Sequence, residues 1–382
     1  MPWDIAALSR RPETYAAEGV GANVDGVEAI FYDGVPYRGK PTRVFAYLAL
    51  PKLAPGERAP GIVLVHGGAG TAFPDWAKLW ADRGYAAIAM DTCGCVHADL
   101  PPDKAYVGPW PRHEHAGPPG WGGFDQMEEP LEDQWMYHAV ADVLLGRSLL
   151  ASLPQVDPGR VGLTGVSWGG ILACTAAGVD SRFAFAVPVY GCGFLDAWIR
   201  KKENFSPDHR HRWCELWDPK HYLPGAKLPM LWLNGTNDLA FPLTWTQASY
   251  RLAPGERTLS IRIGLVHGHG GPGEKPEEIR AFADWRCRGG PPLTEVLAQG
   301  LDGRRAWATF AADVPVVRAE LNYAADANPN WLEREWQTAP ATIEPSGDLA
   351  TAELPDGATA WFINLTDKRG LVASSQHVTR ED

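Results

Sequence analysis

From about residue 26 to residue 288 the chain alternates short apolar, β-branched runs with helical patterns, and this alternation limits the fold more than any other feature. Strands read at 27–32, 42–50, 61–66, 85–90, 160–165, 184–190, 229–234 and 259–266, with helices at 75–83, 131–150, 168–178, 243–252 and 276–285. From the third run onward the strands are apolar at nearly every position, so both of their faces must be covered. The pattern predicts an α/β fold: a mostly parallel eight-stranded sheet with helices on both faces. No helix separates the first two runs, so they should pair as an antiparallel start. After Gly289-Gly290-Pro291-Pro292 the character changes to short alternating runs separated by turn residues, from Ala306 to Val378. These predict a small antiparallel β-sandwich. The chain therefore divides into an α/β unit at 1–290 and a β unit at 291–382.

Two segments interrupt the alternation. Residues 91–130 are rich in Pro, Gly and aromatics without a clear period, and a loop of that length usually builds a site. Residues 193–227 form a mixed insertion placed where a short lid would sit. Composition bears on both, because the chain holds 17 Trp and nine of them fall between Trp110 and Trp245. Trp121, Trp198 and Trp213 are the candidates for a substrate rim. The opposite reading is that each indole simply fills the core.

Charge removes other classes of function. Thirty-five Lys and Arg against 46 Asp and Glu leave a net charge of −11, opposite to the basic face that nucleic acid or an anionic membrane requires. No run of about 18 apolar residues occurs, so no membrane span is expected. Six scattered cysteines are too few for a disulfide scaffold, and Cys174, Cys192 and Cys287 read as small core residues. The spacing in Cys93-Gly-Cys95-Val-His97 is too tight for a usual tetrahedral metal site. No metal is expected there, and Arg112-His113-Glu114-His115 reads as a solvated loop. The N-terminal sequence lacks an apolar export signal, so the chain as written reads as cytoplasmic. A trimmed periplasmic or secreted protein would look the same.

The chemistry gathers at strand ends. Gly165-Val166-Ser167-Trp168-Gly169-Gly170 follows the strand RVGLT and opens the helix GILACTAAG. A sharp strand-to-helix turn presents Ser167 as a nucleophile, and the helix N-terminus directs amides at developing negative charge. Serine needs a general base, which must itself be oriented. Asp238 lies just past the apolar run PMLWLN, while His267 and His269 follow the last run. The order Ser, Asp, His is that of an α/β-hydrolase triad. His269, in a Gly-flanked loop and 13 positions before Phe282, is the preferred base, with His267 the alternative. The turn His66-Gly67-Gly68-Ala69-Gly70 after the third run offers the other half of an oxyanion hole. Its expected donors are the amide of Trp168 and one from Gly68 or Ala69. His66 should shape this turn, and Asp91 should cap another. Gly268-x-Gly270-x-x-Gly273 matches a dinucleotide pattern, but Pro272 and its place at the end of the sheet argue against that reading.

HGG after the third strand, GVSWGG, GTNDLAFP and HGHGG together resemble α/β-hydrolases of the dienelactone hydrolase and acetylxylan esterase type, a group overlapping the prolyl oligopeptidase-like hydrolases. The likeness covers about residues 26–288. It implies Ser167 as nucleophile, Asp238 as acid and His269 as base. Trp168 is bulkier than the residue often found after the nucleophile.

The expected function is serine carboxylic-ester hydrolysis of acylated sugars or other small polar esters, with no cofactor. Oligopeptidase-like cleavage is disfavoured because only about 25 residues precede the first strand, too few for a propeller. Dienelactone-type hydrolysis prefers Cys to Ser. A non-catalytic carbohydrate-binding protein on the same fold is the remaining alternative. The acyl group, the alcohol and the oligomeric state are not legible.

Overall fold

The computed structural model describes residues 1–98, 108–199, 205–328 and 330–379. Its first sheet has nine strands: β1 (Thr14–Ala16), β2 (Val27–Asp33), β3 (Arg43–Ala49), β4 (Ala59–Val65), β5 (Ala86–Met90), β6 (Val156–Val166), β7 (Ala186–Val189), β8 (Met230–Gly235) and β9 (Arg257–Arg262). Their order is β1-β2-β3-β5-β4-β6-β7-β8-β9. Pairing is antiparallel from β1 through β3 to β5 and parallel from β5 to β9. The expected eight strands thus become nine. β1 escapes the sequence because three residues with only one partly covered position carry no period.

Nine α-helices accompany the strands among the described residues: α1 (Ile5–Leu8), α2 (Pro74–Asp82), α3 (Trp135–Ser152), α4 (Trp168–Val179), α5 (Asp196–Ile199), α6 (Pro207–Trp217), α7 (Leu243–Leu252), α8 (Gly271–Glu274) and α9 (Glu277–Arg288). Every residue of β4 and β5 is buried, as expected of central strands with layers on both faces. α3 and α4 lie side by side against β6. α2 and α9 are joined by the Arg83–Glu277 ion pair at 2.8 Å. Helix α9 ends at Gly289, whose φ of 70° turns the chain toward the second sheet.

That sheet has eight antiparallel strands: β10 (Glu295–Asp302), β11 (Arg305–Ala311), β12 (Val316–Ala324), β13 (Trp336–Ile343), β14 (Leu349–Glu353), β15 (Ala360–Asp367), β16 (Val372–Ser374) and β17 (Val378–Thr379). β13 and β14 share only two residue pairs, so two groups of strands fold toward each other over Phe310, Leu321, Ile363 and Leu365. The two sheets also meet directly. Ile261 of β9 donates its N–H to Ser374 Oγ at 2.8 Å and accepts from Asn364 Nδ2 at 3.1 Å. Leu243 and Ile261 share a small core with Trp331, Ala360 and Phe362. Side chains of the β unit thus satisfy the outer edge of β9.

Candidate active site

Strand β6 runs into α4 through Ser167, whose φ of 58° and ψ of −115° are strained for a residue with a side chain. Close packing holds this turn. A Cβ on Gly165 would stand 2.1 Å from the carbonyl oxygen of Gly169, and one on Gly169 would stand 2.0 Å from that of Val65. Only glycine fits at either position, which lets α4 start directly against β4. The Ser167 N–H donates to Val189 O, so the hydroxyl stands above the ends of the strands.

Asp238 and His267 complete a hydrogen-bonded chain. His267 Nε2 lies 2.8 Å from Ser167 Oγ and its Nδ1 lies 2.7 Å from Asp238 Oδ2. Asp238 follows β8 and is buried, and its Oδ1 accepts from the amides of Ala240 and Phe241 at 2.9 and 2.7 Å. These bonds hold the carboxylate with one oxygen left for the imidazole. The His267 ring lies between Tyr190 and Phe241, with centroids at 4.8 and 6.0 Å. The Tyr190 hydroxyl donates to Val266 O at 3.0 Å, directly before the histidine. In the sequence Tyr190 carries no signal beyond its position directly after β7.

The structure does not place His269, the preferred base, beside Ser167. β9 stops at Arg262, four residues before the expected end, and Gly264 turns the chain with a φ of 62°. Residues 263–266 are therefore a loop that carries His267 back over the sheet. His269 lies farther on and points at the turn after β4. Its Nε2 accepts from the Gly67 amide at 2.8 Å, and its Nδ1 faces Glu274 Oε1 at 3.0 Å.

The turn 66–70 has further anchors. His66 Nδ1 lies 2.7 Å from Gly67 O, and its Nε2 accepts from the Thr92 amide at 3.0 Å. Burial pushes this imidazole down to about 3. Asp91 accepts from Thr71 Oγ1 at 2.8 Å and from the amides of Cys93 and Cys95, each at 2.7 Å. Burial raises its carboxyl to about 6 against those hydrogen bonds. Ala69 has a φ of 61° and its carbonyl accepts from Trp110 Nε1 at 2.8 Å. With the Gly67 amide committed to His269, the amides of Gly68 and Ala69 are the candidates to face an oxyanion beside that of Trp168.

Aromatic side chains close one side of Ser167. Trp168 packs edge-on against Trp135 at 5.5 Å and Trp198 at 5.6 Å, with Phe124 at 6.0 Å. Trp213, on the inward face of α6, is fully buried, and its Nε1 donates to Gly122 O at 2.5 Å. It fastens the insertion to the long loop, which corrects its assignment to the rim. Amphipathic α6 turns its Trp213 face inward, leaving no indole surface for a sugar. Trp121 is 44% exposed and Trp198 half-buried, so these two can still line a mouth. The parts of both segments at 99–107 and 200–204 lie outside the described residues.

The other candidate clusters are structural. Arg112 binds the carbonyls of Cys93 and Gly117, and His97 stacks on Trp110 at 5.2 Å. Among the described residues no group of three or more His, Cys, Asp or Glu side chains could hold a metal ion, and no helix is long and apolar enough to cross a membrane.

A parallel sheet with an antiparallel start, a strained serine between β6 and α4, and an acid and a histidine after later strands define an α/β-hydrolase. The chain belongs to the acetyl xylan esterase (AXE1) family, whose model matches residues 14–204. The prolyl oligopeptidase family model matches residues 125–288. No curated protein sequence matches the chain. Among solved structures, an acetyl xylan esterase from Paenibacillus sp. R4 is 22% identical, with a TM-score of 0.56, over 74% of this chain and 92% of that one. Acetyl xylan esterase 1 from Thermoanaerobacterium sp. JW/SL YS485 is 18% identical, with a TM-score of 0.53, over 71% and 90%. A puromycin-hydrolyzing peptidase from Mycobacterium tuberculosis is 19% identical, with a TM-score of 0.51, over 71% of this chain but 42% of that one. At these identities the likenesses establish the fold.

Proposed function

We propose that the protein is a serine carboxylic-ester hydrolase that removes short acyl groups, acetyl above all, from carbohydrate esters. The observation that carries this reading is the unbroken chain from Asp238 through His267 to Ser167 in a member of the acetyl xylan esterase family. In this reading Ser167 Oγ attacks the ester carbonyl while His267 Nε2 takes its proton. Asp238 holds the Nδ1–H tautomer and stabilises the imidazolium. The amides of Trp168 and of Gly68 or Ala69 receive the oxyanion, and one such donor is worth about 3 kcal/mol of barrier. His267 then gives the proton to the leaving sugar oxygen. Water, deprotonated by the same imidazole, attacks the acyl-enzyme, releasing the carboxylic acid and restoring Ser167.

The aromatic wall of Trp168, Trp135, Trp198 and Phe124 supports a short acyl group, since a long chain would have to displace packed rings. The family supports a carbohydrate as the alcohol part. The oligopeptidase match runs from the long loop through the elbow to α9, at residues 125–288, and overlaps the acetyl xylan esterase match at 125–204; it names no feature that would select a peptide over a sugar ester. The test is acetate release from acetylated xylo-oligosaccharides, with a peptide anilide as control. Turnover of the sugar ester, lost in Ser167→Ala, is expected. Cleavage of the anilide alone, or full activity in Ser167→Ala, would overturn the proposal.

A further inference from the structure

The second histidine of HGHGG has a geometry that the proposed reaction does not use. Its Nε2 lies 2.8 Å from the Gly67 amide nitrogen. An amide can only donate, so Nε2 must present its lone pair and the ring proton must sit on Nδ1. Nδ1 in turn faces Glu274 Oε1 at 3.0 Å, and both side chains are almost completely buried. Phe73 and Trp76 hold the ring edge-on, at 4.8 and 5.8 Å. Glu274 sits in α8, the single turn that follows the histidine loop. A buried carboxylate, an imidazole of fixed tautomer and one backbone amide thus form a second relay, parallel to the first and ending on the turn 66–70.

We infer that His269, oriented by Glu274, is a positioning residue that fixes the Gly67 peptide and thereby aims the Gly68 and Ala69 amides at the oxyanion. This inference rests on the ester-hydrolase reading for what the turn does, though not for how the histidine is held. The loop 263–274 then carries two histidines with separate tasks: His267 moves the proton and His269 holds the donor turn. The relay also gives the buried Glu274 carboxylate a partner, since the Nδ1–H of His269 donates to it.

Leucine at 269 removes the acceptor and leaves the Gly67 amide buried without its partner. Glutamine places a carbonyl oxygen near the former Nε2 and can restore the bond. With p-nitrophenyl acetate, His269→Leu should lower kcat by about 30- to 300-fold with KM changed less than about threefold, as loss of oxyanion stabilisation requires. His269→Gln should recover most of that loss. Full kcat in His269→Leu, a loss seen only in KM, or a His269→Gln variant as inactive as Ser167→Ala would overturn the inference. Nitrogen-15 NMR of the wild-type imidazoles gives a reading independent of any variant. His269 should carry its proton on Nδ1 alone at neutral pH, and an Nε2–H form would contradict the inference. If the wild-type protein hydrolyses no ester, the functional reading fails, while the tautomer still tests the relay.

Discussion

His267 and Asp238 meet across the ends of β9 and β8 with Nδ1 and Oδ2 2.7 Å apart, and two backbone amides hold the other carboxylate oxygen. Asp238→Asn can keep those amide bonds through its oxygen but presents an NH₂ group to Nδ1, favouring the wrong tautomer. A fall of about 10⁴-fold in kcat for p-nitrophenyl acetate is expected, with little change in unfolding temperature. His267→Ala should fall as far. Near-normal turnover in either variant would remove His267 from the chemistry.

Trp168, next to Ser167 in the chain, packs against the rings of Phe124, Trp135, Trp198 and Trp213 and is 7% exposed. Trp168→Leu should open space there at a stability cost of about 1–3 kcal/mol. The ratio of kcat/KM for butyrate over acetate p-nitrophenyl esters should rise by about tenfold or more. An unchanged ratio would place the acyl group elsewhere.

Much of this arrangement was legible in the chain. Gly165 and Gly169 mark the elbow because backbone atoms stand where any Cβ would be, and such positions leave a plain trace in sequence. The choice between two histidines did not. Ile-Gly-Leu-Val at 263–266 reads as a continuing strand, yet Gly264 adopts a φ of 62° and the strand has already ended at Arg262. That difference of four residues moves His267 over Ser167 and sends His269 to Gly67. The burial of Trp213 is hidden for a related reason: an indole in a polar helix shows it only when the partner surface, here the loop at Gly122, is known.

Acid should destabilise the fold through its buried histidines. Burial lowers His66 to about 3, and His113 and His138 to about 4 each, from an ordinary value near 6.5. A group with a depressed imidazole value is neutral in the fold, and the unfolded chain takes up the proton. Stability is therefore present above pH 6.5 and is lost as pH falls toward 3, on the order of 5 kcal/mol for His66 alone. Asp91, raised to about 6, acts in the opposite sense between pH 3.8 and 6, and Asp142 and Asp218, whose carboxyls burial also raises, act with it to offset part of the loss. Urea unfolding of the wild type from pH 7.5 to 4.5 should show falling stability. His66→Asn, which can still donate to Gly67 O, should show a shallower fall, and an unchanged slope would count against the assignment.

Asn237, one residue before Asp238, donates its Nδ2 to the carbonyls of Trp331, Leu332 and Arg334 at 3.2, 3.0 and 2.8 Å. The β unit thus grips the loop that holds the acid and covers Ile261 on the edge of β9. Expression of residues 1–290 alone should give an aggregating product with an open sheet edge. A monodisperse monomer by light scattering, with wild-type kcat, would show that the β unit is dispensable.

The central claim is that Ser167 is the nucleophile and His267 its base. Intact-mass and peptide mapping after treatment with a fluorophosphonate tests it most directly. The expected result is one adduct per chain, on Ser167, formed quickly by the wild type and not formed on that time scale by His267→Ala. No adduct on the wild type, an adduct on another residue, or equally fast labelling of His267→Ala would contradict it.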